Sequence, residues 1–389
     1  MAGLELAEAL RGSRRRTLAL VRNLSDDQWL PARQSGVNPV AWELGHLAWF
    51  AEFWILRGPH LLQADGLVVA NLPASIVGPD TVFDSARLAH GDRWAAKLPP
   101  RVQLLEMMAR QLEASIKAIP DGDDDRALYF HRLSLFHEDM HGEAFAWMRA
   151  ALGYPAPVGT ASTQQQHAGD PLRFADDRLE VGPSAEVDAF LFDNEIRANA
   201  IALRPFEIDA SCVTAGDFLQ FVAAGGYDRP EFWPGEAGAW RSASGLTHPS
   251  RWRRDGSGWE LRSFDRWHPL NTLLPVMHVN AFEAEAYCSW KGRRLPSATE
   301  WEFAATNASH SEFAWGNSVW EWTGDAFAPY AGFVAGPYRD YSLPWFGSHR
   351  ELRGGAFATH ARLHNPRYRN FFQPHRTDIF AGFRTAATL

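Results

Sequence analysis

Phe130–Met148 reads FHRLSLFHEDMHGEAFAWM, and this stretch decides how the N-terminal part of the chain is built. His137 and His141 stand four residues apart, so on a helix both imidazoles project from one face, a single turn apart. A pair so placed grips a metal from one rigid element. Two ligands alone make a weak site, and the same spacing also occurs in helices that bind nothing. The question is which residue completes the set.

Working outward, residues 1–155 read as helices. Leu4, Leu6, Ala9 and Leu10 begin an apolar stripe, and Asn38-Pro39 reads as a cap and first position for the helix VAWELGHLAWFAEFWIL. Trp42, His46, Trp49 and Phe53 follow the i, i+4, i+7, i+11 pattern, which turns His46 toward the interior. Residues 71–100 carry many turn formers and read as a long connection. Leu104, Leu105, Met108 and Leu112 mark a further helix, stopped by the acidic run at 121–125. This order predicts a helix bundle with one inserted connection.

His46 is the expected third ligand. Three neutral imidazoles bind a divalent first-row metal and leave positions open for substrate or oxygen. Glu138, Asp139 and Glu143 are candidates to orient a ligand ring. His131 is out of phase with the pair, and His60 and His90 fall in connections. The string H-E-D-M-H also matches the HExxH of zinc proteases, in which the Glu is a base. No downstream zincin ligand pattern accompanies it, so a metallohydrolase is the minor alternative.

The 389 residues allow two domains. With 46% hydrophobic and 22% charged residues the composition is globular, and a formal charge of −8 argues against a general nucleic-acid binder. Cys212 and Cys288 are the only cysteines, so no disulfide framework is expected and a reducing, cytoplasmic setting is the simpler reading. The N-terminus lacks the pattern of a secretory leader, and no apolar run approaches the roughly 20 residues that cross a bilayer.

After Tyr154-Pro155 the stretch PAPVGTASTQQQHAGDP is polar and turn-rich, and a linker is expected over 156–184. Residues 185–389 alternate short β-like runs with Gly-rich turns, with helices expected at 214–224, 282–290 and 297–305. The pattern predicts an α+β domain with irregular loops. Neither a Walker loop nor a dinucleotide fingerprint is present. Glu285, Trp290, Arg294, Pro296, Glu300 and Trp301 read as scaffold.

The segments FDNE (192–195), RLPSATEWE (294–302), GNSVWEWTGD (316–325), LRGGAF (352–357) and AGFR (381–384) resemble the formylglycine-generating-enzyme, C-type-lectin-like fold. The N-terminal part resembles the DinB helical bundle. Joined, they resemble the sulfoxide synthases of ergothioneine biosynthesis and the related selenoneine synthases, along nearly the whole chain. The formylglycine-generating enzymes use cysteines late in this fold; this chain has none after Cys288. The resemblance therefore implies Fe(II) at His46, His137 and His141, with O2, hercynine and a chalcogen donor as substrates.

It further implies that the C-terminal domain supplies the substrate pocket. In Gly336–Phe346 (GPYRDYSLPWF) a tyrosine assists oxygen protonation, with Tyr338 the better positional match and Tyr341 the alternate. In Asn365–Phe380 (NPRYRNFFQPHRTDIF), Asn370 is expected to bond hercynine, Phe371 to cover its trimethylammonium group, and Arg376 to bind the second substrate. The chain departs from the sulfur enzymes at three places. Met140 replaces a glutamine, Phe372 stands in the region of an acidic residue, and Ser75–Trp94 lacks the usual tyrosine-rich segment. An amino-acid thiol needs both its charges matched, whereas a sugar uses neutral groups and aromatic faces. Met140 and Phe372 thus join the expected substrate contacts. The departures favour a selenosugar, giving hercynyl selenoxide and selenoneine, over cysteine or γ-glutamylcysteine. A noncatalytic small-molecule or carbohydrate binder is the alternative from another class.

Overall fold

A computed structural model describes residues 3–122, 124–160, 163–166, 169–180, 190–197 and 199–389. Cα packing divides it into two compact units: Met1–Leu152 with Ala156–Gly159, and Gly153–Pro155 with Thr160–Leu389.

The first unit runs α1 (Gly3–Val21), α2 (Asp26–Trp29), α3 (Val40–Ala51), β1 (His60–Leu62), β2 (Val68–Ala70), α4 (Asp80–Phe83), α5 (Arg101–Lys117) and α6 (Asp125–Leu152). Helix α6 is the centre of the bundle, packing on α1 and α3. Leu6 and Leu10 of α1 meet Leu128 and Leu135 of α6. Leu4, expected on that stripe, is 88% exposed, because two residues of helix before Leu6 turn it to the opposite side. Pro39, not Asn38, occupies the N-cap of α3, and the Asn38 side chain turns to Glu43 instead. Helix α3 continues as a π-turn over Glu52–Leu56. The carboxylate of Glu52 accepts hydrogen bonds from the backbone amides of Ser75, Ile76 and Val77, which pins the connection leading to α4.

The second unit contains β3 (Leu172–Phe174), β4 (Asp177–Leu179), β5 (Ile201–Leu203), β6 (Phe206–Ile208), α7 (Ala215–Ala223), α8 (Glu236–Ser244), β7 (Trp252–Asp255), β8 (Gly258–Ser263), β9 (Arg266–Pro269), α9 (Ala281–Lys291), α10 (Ala298–Asn307), β10 (Trp320–Ala326), β11 (Arg350–Arg353), β12 (Asn370–Phe372), β13 (Ala381–Gly382) and β14 (Ala386–Thr388). One sheet runs β12-β11-β10-β13, its last pair parallel, and another runs β14-β6-β3. The stretch expected as linker holds β3 and β4. Leu172 and Phe174 alternate toward the core and pair with Ile208 and Phe206 of β6. Residues 161–162, 167–168 and 181–184 of that stretch lie outside the described residues. Helix α8 was not expected; it ends on Gly245 with φ +62°.

The quoted motifs meet in the core. Glu321 of β10 accepts from Trp301 Nε1 at 2.8 Å and from both Nε and Nη2 of Arg384. Arg294 clasps Glu300 with two bonds of 2.7 Å. Gly354 and Gly355 have φ of +101° and +111°, and a Cβ on Gly355 would come within 2.7 Å of His364. RLPSATEWE, WEWT, LRGG and GFR are thus one packing unit built around a buried carboxylate.

Candidate metal centre

His46 comes from α3 and His137 and His141 from α6, so a helix crossing assembles the group. Ring centroids lie 5.2 Å apart for His46–His137, 5.2 Å for His46–His141 and 4.4 Å for His137–His141. One nitrogen from each ring falls within 4.8 Å of the others. His46 and His137 are buried and His141 half-buried.

Each ring is oriented from outside. Nδ1 of His46 donates to the Phe83 carbonyl at 2.8 Å, and Trp42 stacks on the same ring at 5.0 Å and 9°. Phe50 lies flat on His137 at 3.6 Å and 5°. Nδ1 of His141 donates to Glu43 Oε1 at 2.5 Å. Glu43 Oε2 accepts from Asn38 Nδ2 at 2.7 Å, and Asn38 Oδ1 accepts from Arg93 at 2.7 Å. Placing the protons of His46 and His141 on Nδ1 leaves both Nε2 atoms as lone-pair donors.

The residues fit a metal ion. Nε2 of His141 and Nε2 of His137 face each other at 3.1 Å, a separation that two bonds of about 2.1 Å to one cation span. Burial, followed by the nearby His141, pushes the His46 imidazole down to about 3; burial likewise holds His137 well below the ordinary range. Both are therefore neutral and ready to ligate at neutral pH. Burial alone would raise Glu43, yet His141 and its hydrogen bond hold the carboxyl down to about 2. An anionic carboxylate thus stands behind one ligand, the arrangement that fixes tautomer and increases basicity at metal sites.

Glu43 was not anticipated. Its signal was a lone carboxylate three residues before His46 on an otherwise apolar helix, and its partner lies 98 residues away. Glu138 is held by Arg14 through both oxygens, at 2.7 and 3.1 Å, and Asp139 accepts from Ser13 of α1 at 2.8 Å. A zincin base needs a carboxylate open to water, and Glu138 is committed to Arg14; the metallohydrolase reading loses its base. His131, His60 and His90 bond the carbonyls of Ser115, Phe53 and Val37.

In the second unit, the Tyr338 and Tyr341 rings are 6.0 Å apart. Tyr341 stacks on Phe192 at 4.1 Å and its hydroxyl lies 3.3 Å from that of Tyr368, a neighbour the sequence did not single out. Asn370, Phe371 and Phe372 form β12. Phe371 stacks on Phe327 at 4.0 Å and meets the edge of Tyr341 at 5.7 Å. The Asn370 Oδ1 accepts from the Phe371 amide at 2.9 Å. Arg376 is paired with Asp378 at 2.5 and 2.6 Å and lies over Phe372 at 5.2 Å. Met140, on α6 between His137 and His141, is half-buried.

Residues 9–149 match the DinB superfamily, and residues 176–319 and 316–389 match the Sulfatase-modifying factor enzyme 1-like domain. The chain is 29% identical over 429 residues to the hercynine oxygenase of Mycobacterium tuberculosis, covering 98% of each. It is 28% identical over 443 residues to that of Mycolicibacterium smegmatis, again covering 98% of each. The formylglycine-generating enzyme of Streptomyces coelicolor is 29% identical over 262 residues, 49% of this chain and 81% of the relative. With the helical three-histidine group and the motif-built second unit in place, the chain belongs to the Sulfatase-modifying factor enzyme 1-like family, in the EgtB-like form that carries a DinB domain ahead of it.

Proposed function

We propose that the protein is an iron(II)-dependent oxygenase that couples hercynine to a selenosugar, forming a carbon–selenium bond. The observation that carries this reading is the convergence of His46, His137 and His141, in a chain that parallels hercynine oxygenases over 98% of its length. Iron(II), held by the three imidazoles, supplies the redox access to dioxygen that organic side chains lack. In the overall reaction the C2–H bond of the hercynine imidazole and the Se–H bond of the donor break, and a C–Se bond forms. Selenium is oxidised to the selenoxide, and dioxygen takes four electrons, leaving one oxygen atom on selenium and the other in water.

Asn370 bonds the hercynine carboxylate and Phe371 offers its ring to the trimethylammonium group. Tyr338 is the first candidate proton donor and Tyr341 the second. Burial raises the Tyr341 hydroxyl well above the ordinary range, which suits a donor and not a base. Phe372 and Arg376 are the proposed contacts of the selenosugar in the second unit, and Met140 is a separate candidate in the first. Arg376 already has its charge met by Asp378, and the other proposed contacts are neutral, a set suited to hydroxyl groups more than to a zwitterion. A selenol persists in a reducing compartment, which fits a cytoplasmic setting. No described helix is long and apolar enough to cross a membrane.

A second reading, the joining of hercynine to cysteine or γ-glutamylcysteine, draws on the whole-length identity to the mycobacterial hercynine oxygenases. Anaerobic loading with Fe(II), followed by oxygen, separates the two. One assay contains hercynine and a selenosugar; the other contains hercynine and either thiol. Hercynyl selenoxide detected by mass in the first assay alone is the expected outcome. A sulfur product alone replaces the proposal with the second reading, and turnover without metal or without oxygen uptake sinks both.

A further inference from the structure

His46 and His141 are supported by different chemistry. His46 gives its Nδ1 proton to a neutral peptide carbonyl, that of Phe83. His141 gives its own to the Glu43 carboxylate, which is only 1% exposed. Resting on the metal centre proposed above, but not on its substrate, we infer that Arg93, Asn38 and Glu43 form a positioning relay for His141, setting how tightly this ligand holds its metal and favouring the oxidised state of bound iron.

The geometry of the relay is self-consistent. Asn38 must turn Nδ2 toward the carboxylate and Oδ1 toward the guanidinium, and its two neighbours fix that orientation, each at 2.7 Å. The Glu43 carboxylate therefore has one oxygen on Asn38 and one on His141, and it cannot rotate without losing both bonds. Arg93, from the 3-10 turn His90–Trp94, also lies over Trp42 at 3.9 Å, and Trp42 stacks on His46. The relay thus begins at the support of one ligand and ends on another. A carboxylate hydrogen-bonded to the outer nitrogen raises the basicity of the inner one, so His141 donates more charge than His46 does. More charge donation lowers the potential at which iron is oxidised.

Co(II) and Fe(II) binding to the full-length protein tests this directly. Glu43→Gln keeps the shape and removes the charge. It is expected to weaken Co(II) binding by about 10- to 100-fold, shift the d–d absorption of the Co(II) form, and raise the Fe(III)/Fe(II) midpoint potential, with one site still filled per chain. Asn38→Ala, one bond further out, is expected to change affinity and potential in the same direction by less. Wild-type affinity, spectrum and potential in both variants overturn the relay. If Glu43→Gln fails to fold, Asn38→Ala alone decides on the same readouts. The functional reading fails separately, by absence of hercynine turnover in the metal-loaded wild type. Wild-type protein that takes up no divalent metal overturns both.

Discussion

Nδ1 of His46 lies 2.8 Å from the carbonyl oxygen of Phe83, and this approach depends on residue 45 having no side chain. A Cβ on Gly45 would come within 2.1 Å of the Phe83 ring, itself only 2% exposed. The glycine costs helix α3 about 1 kcal/mol relative to alanine, a cost outweighed by the contact it permits. Gly45→Ala should therefore destabilise the first unit by up to about 2 kcal/mol net, since overpacking of this kind costs about 1–3 kcal/mol and the helix regains about 1 kcal/mol. It should also weaken metal binding, because His46 loses its orienting carbonyl. Urea unfolding and a metal titration on the same variant check both effects; a more stable variant with unchanged affinity refutes the account.

Metal binding should raise the stability of the folded chain. The Nε2 atoms of His137 and His141, 3.1 Å apart, can both ligate a cation that the unfolded chain cannot hold in the same way. At a free metal concentration 100 times Kd the gain is about 2.7 kcal/mol. A calorimetric melt should show the shift for wild type, its reversal by a chelator, and its loss in His137→Ala. An equal shift in that variant would place the ion elsewhere.

Arg14 and Glu138 join α1 to α6 through a pair whose side chains are 5% and 6% exposed. Breaking a buried pair strands the remaining charge, and Arg14→Ala should cost about 3–5 kcal/mol. The double replacement Arg14→Met with Glu138→Leu should recover much of that loss, because both desolvation penalties disappear together. Denaturant unfolding of the two variants gives the comparison. A double variant as unstable as the single one would show that the pair contributes a net attraction.

Glu283 supplies a pH signature in the second unit. Burial raises its carboxyl to about 7, against hydrogen bonds from Tyr227 and the Asn280 amide that act in the opposite direction. The folded state therefore binds the proton more tightly than the unfolded chain, whose value is 4.5. The stability this provides is complete below pH 4.5 and is lost as the pH rises through about 7. The loss is on the order of 3 kcal/mol at most. The difference in unfolding free energy between wild type and Glu283→Gln should change across this range, and a flat difference from pH 5 to 8 removes the assignment.

Legibility differed between the two halves for physical reasons. In α3 and α6 the 3.6-residue period fixes which side chains share a face, so the phase of Trp42, His46 and Trp49 points inward, and the His46 ring meets those of His137 and His141. Glu43 shares that helix, but its role depends on a partner reached only by tertiary packing. In the second unit the strands are short, many of three residues, too short for alternation to declare itself. There the buried Glu321 organises motifs far apart in sequence. Helix α8 hid because its sequence, EAGAWRSAS, buries little. Nothing local in the sequence distinguishes Tyr368, whose hydroxyl meets that of Tyr341 across 27 residues.

The aromatic packing around His46 also gives the centre a built-in optical reporter. Trp42 and Trp49 hold their rings 5.0 and 5.9 Å from that imidazole, close enough for a paramagnetic ion on the histidine to drain their excited states. Part of the intrinsic emission should darken as such an ion arrives and return when it leaves, so that occupancy can be followed in unlabelled protein.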